Sequence, residues 1–251
     1  MKKIECFMLG YCFKVIIMFY GLCCASHILA QEKNDELLVH YYPGAVMQLI
    51  APVTVPEKRA LRDRYFEQNA DTARQFGYQQ NGVLMVDKTL LGKFKPNVFV
   101  ISQWSSLKAQ KAFQSLAQFT EVKSLRRQAW EALRLYDHEL EAPLTLSFKK
   151  DKTYTLAFAW NNPEKANEYF RYTDIFPALL DKVKGRIIYT INNAVLSAHD
   201  PNAAAPKQIM IVEWDSMDDV EKLLELPEMI NLAQKLHDTN VSFELHAASL
   251  R

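Results

Sequence analysis

Apolar positions along the chain fall into alternating and helical stretches, and the same succession occurs twice. The first set opens with a strand over Ala45 to Pro52, then Val-Pro-Glu-Lys (Val55 to Lys58) and a helix to about Phe76 that stops at Gly77. The second opens with a strand over Thr153 to Trp160, then Asn-Pro-Glu-Lys (Asn162 to Lys165) and a helix ending near Gly185. Asn162 is a favourable N-cap, and Pro163 suits the first helical position, where its missing N–H costs nothing. Tyr65 and Tyr172 follow their prolines at the same distance. The repeat period of about 108 residues is that of a domain, not of a solenoid.

Each glycine is followed by a pair of strands: Val83 to Leu90 with Val98 to Trp104, and Arg186 to Leu196 with Gln208 to Trp214. A second helix (about Leu107 to Ala132; Met217 to His237) and a final strand (about Leu133 to Glu141; Val241 to Ala248) complete each copy. Strand, helix, strand, strand, helix, strand is the split βαβ order of a ferredoxin-like unit. Along Val98–Trp104 and Gln208–Trp214 both strand faces are largely apolar. Helices cover only one face of such a sheet, so the other needs a second sheet, and the other copy is its natural source. The chain is therefore expected to be α+β, with two tandem ferredoxin-like domains (41–142 and 153–250) forming an intrachain pseudo-dimer. Residues 143–152, with Pro143 and the Lys149-Lys150-Asp151-Lys152 run, read as the linker.

Composition adds a compartment. Met1 to Ala30 has a basic start (Lys2, Lys3), an apolar run and small residues at Ala25, Ser26 and Ala30, the plan of a secretory signal cleaved after Ala25 or Ala30. Val15 to Ala30 falls short of the roughly 20 apolar residues that span a bilayer, so no stable membrane insertion is expected after cleavage. A periplasmic or secreted protein is expected, with an uncleaved anchor as the alternative reading. All four cysteines (Cys6, Cys12, Cys23, Cys24) lie in that leader. The remainder can form neither disulfides nor thiolate metal sites. The net charge of +1 carries no basic stripe, which removes the electrostatic footprint of a nucleic-acid binder.

Taken together, Pro163-Glu164, Tyr172, Pro177, Gly185-Arg186, Glu213-Trp214-Asp215-Ser216-Met217 and Leu226-Pro227-Glu228 resemble the domain-of-unknown-function family numbered 1330, in the dimeric α/β-barrel superfamily. The first copy is similar but worn, keeping Tyr65, Gly77 and Gln103-Trp104-Ser105-Ser106. The resemblance implies the fold closely and the chemistry loosely, since the superfamily includes enzymes, haem binders and members without known activity. Monooxygenase-like and haem-degrading relatives place a histidine on the second helix where Phe113 and Leu223 stand here. Neither side chain can ligate iron or move a proton. No cofactor or metal is expected.

Candidate residues follow from the strand pattern. Trp104 and Trp214 are expected to anchor the helix layer or to wall a pocket there, opposite Tyr65 or Tyr172. Gln103 and Glu213 point to the opposite face, where Glu213 is either a satisfied hydrogen-bonding group or a proton-transfer carboxylate. His138 and His246 fall on corresponding final strands, and His199 beside Asp200 reads as turn chemistry. Asp137-His138-Glu139 is a local cluster. No nucleotide loop, nucleophile elbow or His-Glu-x-x-His run is present. The leading reading is a binder of a small apolar ligand, with further oligomerisation possible. The alternatives are a cofactor-independent oxygenase or isomerase-like enzyme and a structural, partner-binding module.

Overall fold

The computed structural model describes residues 35–165 and 174–251. The expected leader Met1–Ala30, with the four cysteines, and Tyr172 lie outside the described residues. The first half runs β1 (Glu36–Tyr41), β2 (Val46–Val53), α1 (Arg59–Gln75), β3 (Tyr78–Leu91), β4 (Val98–Trp104), α2 (Leu107–Gln114), α3 (Phe119–Ala129) and β5 (Ala132–Glu139). After β6 (Leu144–Lys149), the second half follows as β7 (Thr153–Asn161), α4 (Phe176–Lys182), β8 (Arg186–Asn192), β9 (Val195–Ala198), β10 (Gln208–Trp214), α5 (Met217–Glu225), α6 (Pro227–Thr239) and β11 (Asn240–Leu250). The α+β class and the ferredoxin-like succession agree with the sequence pattern. α1 ends at Gly77, whose φ of +82° is unfavourable for an L side chain and whose missing Cβ leaves room for Ser105.

Three segments differ from expectation. Residues 143–152, read as a linker, also hold β6, which pairs antiparallel with the unforeseen β1 from Glu36↔Lys149 to Tyr41↔Leu144. Only Lys150 and Asp151 form a turn. The long second helices are each broken in two. Pro227 opens α6 and cannot extend the hydrogen-bond ladder of α5. In the first half the Ser115 hydroxyl donates to the Lys111 carbonyl at 2.8 Å, closing α2. Finally, β3 begins five residues earlier than predicted, at Tyr78.

That added length closes the structure. β3 pairs with β4 through its first part and with β11 through its last, from Leu84↔Leu250 to Leu91↔Leu245. The continuous β8–β9 segment does the same, pairing with β10 and then with β5. The strand order β8-β10-β7-β11-β3-β4-β2-β5-β9 therefore returns to its own start, because only Asn193 and Ala194 separate β8 from β9. The two halves do not stack as separate sheets. They share edges in one closed antiparallel barrel, which leaves no long strand edge open around the ring.

Alternate side chains fill the lumen. Leu49, Leu84, Phe99, Ile101, Leu156 and Ile209 are each at most 1% exposed. The β1–β6 ribbon adds Val39, Tyr41, Leu146 and Phe148 to the same core. Helices cover the outside of each half.

Strands β5 and β11 lie opposite each other in the ring, with three strands between them on either side. Arg134 on β5 and Glu244 on β11 occupy equivalent registers, against Ala51 and Phe158 of the equivalent strands β2 and β7. The Arg134 Nη1 to Glu244 Oε2 distance is 2.9 Å, an ion pair across the barrel, with the guanidinium 3.9 Å over the Phe94 ring. Gly92, at φ +106°, lets the β3–β4 loop lie against Glu244.

Removing one member strands the other charge in a low-dielectric site. Arg134→Met or Glu244→Gln is expected to lower the unfolding free energy by about 2–4 kcal/mol in urea, and the double variant Arg134→Met/Glu244→Leu by less than the sum of the two. Additive losses would show that the pair does not act as a unit.

Candidate functional site

The outward face of the sheet is not the same in the two halves. On β4-β2-β5 three side chains stand abreast under the helices, in registers Ser102↔Gln48 and Gln48↔Asp137. The equivalent row on β10-β7-β11 is Val212↔Thr155 and Thr155↔Ala247. Helix α2 adds Gln110 above the polar row, where α5 has Val220. Under the second half's helices the apolar core is one cluster built on Val212, Trp214, Val220 and Leu223. In the first half it is divided in two, one part around Trp104 and Phe113 and the other around Trp130, Leu133 and Leu135. The polar row lies between.

Asp137 is the centre of this row. Gln48 Nε2 donates to its Oδ1 at 2.7 Å, and Gln110 Nε2 to its Oδ2 at 2.9 Å. Burial pushes its carboxyl above the ordinary aspartate value, against the opposing effects of the two glutamines and the Arg126 charge. Two tyrosines stand by the row's neighbours: Tyr78, whose hydroxyl lies beside Ser102, and Tyr65, against Arg126. Burial raises both phenols, so both stay protonated hydrogen-bond donors. The Trp104 Nε1 and Arg126 Nε atoms are buried without a partner. A buried donor left unpaired costs about 1–3 kcal/mol, so these two nitrogens mark where an acceptor would be favoured. The row thus holds one largely buried carboxyl among protonated donors, between two apolar clusters.

The sequence candidates divide accordingly. Trp104 and Tyr65 stand in the two apolar clusters on either side of the row. Trp104 packs on Phe113 and Tyr78, and Tyr65 on Trp130 at 5.0 Å between ring centroids. Trp214 is 2% exposed, and its Nε1 donates to Thr155 Oγ1 at 2.9 Å, so it is a satisfied core residue. Gln103 and Glu213 point away from the helices, on the lumen side. Gln103 Nε2 donates to Gln79. Glu213 accepts from Arg186 at 2.8 Å and from Tyr154 at 3.3 Å, the satisfied arrangement among the two readings of that residue. His138 and His246 lie on equivalent strands but not at equivalent places. The counterpart of His246 is Tyr136, and that of His138 is Ala248. Gln48, Ser102, Gln110, Tyr78 and Arg126 are not singled out by the sequence pattern, and Asp137 stands there only as part of the local Asp137-His138-Glu139 cluster. The signal available was the gap-free alignment of the two third strands, which sets Ser102 against Val212.

Phe113 and Leu223 are both buried in the core and offer no lone pair to a metal. Among the described residues no three His, Cys, Asp or Glu side chains converge on a metal-sized site.

Similarity to known proteins is found at the level of the fold. No protein-family model matches the sequence, and no curated protein matches it. Among solved structures, an anthrone oxidase-like protein superposes with a TM-score of 0.55 at 12% identity, over 85% of this chain and 94% of that one. A mutant chlorite dismutase from Candidatus Nitrospira defluvii gives 0.44 at 10% identity, over 83% and 93%. The fold is that of the dimeric α/β-barrel, ferredoxin-like proteins.

If the polar row is a functional feature and not a stabilising one, giving the first half the second half's side chains should not cost stability. The variant Ser102→Val/Gln48→Thr/Gln110→Val/Asp137→Ala is expected to unfold in urea within about 1 kcal/mol of the parent, since donors and acceptors leave together. Gln48→Leu alone should lose about 1–3 kcal/mol by stranding an Asp137 oxygen. A larger loss in the fourfold variant than in Gln48→Leu would make the row structural.

Proposed function

We propose that the first half's polar row lines a cleft that is the active site of an enzyme removing a proton from a small, largely apolar carbon acid. The observation that carries this reading is the register-for-register contrast between Ser102–Gln48–Asp137 and Val212–Thr155–Ala247. Two glutamines fix the orientation of Asp137, and burial makes it a stronger base than an exposed aspartate. The C–H proton passes to the Asp137 carboxylate, and the bonding pair delocalises onto the substrate's carbonyl oxygen. The Trp104 indole N–H and the Tyr78 hydroxyl are donors for that developing oxyanion. Return of the proton to another carbon is isomerisation. Reaction of the carbanion with dioxygen is oxygenation, and the similarity of fold to an anthrone oxidase-like protein makes anthrone a suitable probe.

The second half serves as scaffold, and the residues by which it resembles family 1330 hold its fold. The Ser216 hydroxyl donates to Asp219 at the start of α5, and Trp214 packs on Gly185. The basic-then-apolar composition of Met1 to Ala30 supports export of the protein to the periplasm or beyond the cell.

Hydrogen–deuterium exchange at the acidic carbon of anthrone, followed by NMR under nitrogen, tests the chemistry. The protein should accelerate exchange, and Asp137→Asn should lower the rate by about 10²-fold or more. Because the base must be ionised, the rate should rise with pH through a midpoint above the ordinary aspartate value. Equal rates for parent and Asp137→Asn would remove Asp137 from the chemistry. In air, oxygen uptake with formation of anthraquinone and water would assign the oxygenase branch.

A further inference from the structure

Beyond the polar row lies a second group of buried polar side chains, and the other half of the chain supplies part of it. His199 follows β9, and its backbone N–H donates to the Leu133 carbonyl at 3.1 Å, which extends the β9–β5 pairing by one residue. Leu133 belongs to the apolar cluster under the first half's helices, so His199 is delivered to the helix side of β5. The charges of Arg126, Arg127 and Lys58 all act on its ring. Lys58 is engaged with the Trp130 carbonyl at 3.2 Å and with Glu131 at 2.9 Å. Arg126 and Arg127 stand in the last turn of α3, where a cation also meets the negative end of the helix. That accounts for their type. It does not account for the Arg126 Nε and His199 Nε2 atoms, both buried without a partner.

We propose that His199 and Arg126 hold a carboxylate carried by the substrate, so that the cleft selects a ring compound bearing an anionic group. This rests on the reading of the first-half cleft as a substrate site. Guanidinium and carboxylate are matched in shape and charge. A neutral imidazole adds one N–H to the same anion without adding a competing charge. Burial together with the three cations pushes His199 down to about 4, so the ring is neutral near pH 7. With Trp104 and Tyr78 at the other end and Asp137 between, a carboxylate anchored on Arg126 would place the ring across the base. The site is then assembled from both halves, although only one half carries the polar row.

Quenching of tryptophan fluorescence at pH 7 by 1-hydroxy-2-naphthoate and by the uncharged 1-naphthol tests this directly, with the melting curve of each variant recorded alongside. The expected result is naphthoate binding tenfold or more tighter than naphthol. Arg126→Gln and His199→Phe should each remove most of that preference, read as the ratio of the two affinities within the same variant. Equal affinity of the parent for both probes, or a preference that persists in Arg126→Gln, would overturn the carboxylate site. The proton-abstraction reading would then stand on the anthrone exchange alone. Failure of both probes to bind, with anthrone exchange also at the background rate, would remove both.

Discussion

Backbone hydrogen bonding at two shared strand edges is the constraint on which the rest of the molecule depends. A ferredoxin-like sheet that carries helices on one face leaves the other face apolar, and this chain covers that face by making two sheets into one ring. The device is length: β3 spans 14 residues, enough to pair with β4 of its own half and β11 of the other. The β8–β9 segment does the same for β10 and β5. Closure removes the free edges and brings the lumen side chains to near-complete burial. It also sets Arg134 against Glu244 across the diameter, and it places His199 of one half beside α3 of the other.

Once the ring is closed, the two helix-covered outer faces need not remain alike. The second half has taken the packed solution, with Trp214 satisfied by Thr155 and apolar side chains everywhere else in the row. The first half has kept Ser102, Gln48, Gln110 and Asp137 at the matching places, which divides its apolar core and leaves the Trp104 N–H without a partner. Buried polar groups of this kind cost stability relative to well-packed apolar ones. Their confinement to one half is what an active site on one copy and a scaffold on the other would produce.

Much of this architecture was legible in the sequence because each element is specified locally. The doubled order of strands and helices, the Pro-Glu-Lys helix starts, Gly77 and the turn residues all announce themselves within a few positions. The β1–β6 ribbon was hidden because each strand is only six residues long and gains its meaning from a partner more than a hundred residues away. Ring closure was hidden for a related reason: the early part of β3, Tyr78-Gln79-Gln80-Asn81, is polar, and only its pairing with β4 makes it a strand. The cleft was half visible. Trp104 and Tyr65 stand out as aromatics, but Gln48, Ser102 and Asp137 are ordinary polar residues until the register sets them side by side. Glu213 drew attention as a carboxylate beside a tryptophan, yet its strand position turns it to the lumen and into the hands of Arg186 and Tyr154.

The central claim is that the first-half cleft holds one buried carboxyl whose ionisation is opposed by its surroundings. A ¹³C-NMR titration of the aspartate side-chain carboxyls, with Asp137 assigned by comparison with the Asp137→Asn protein, measures this without reference to any substrate. The account predicts a single assigned resonance whose midpoint lies clearly above the ordinary aspartate range. A midpoint at or below that range would show Asp137 to be a freely ionised, well-satisfied structural residue, and the site would have to be sought elsewhere.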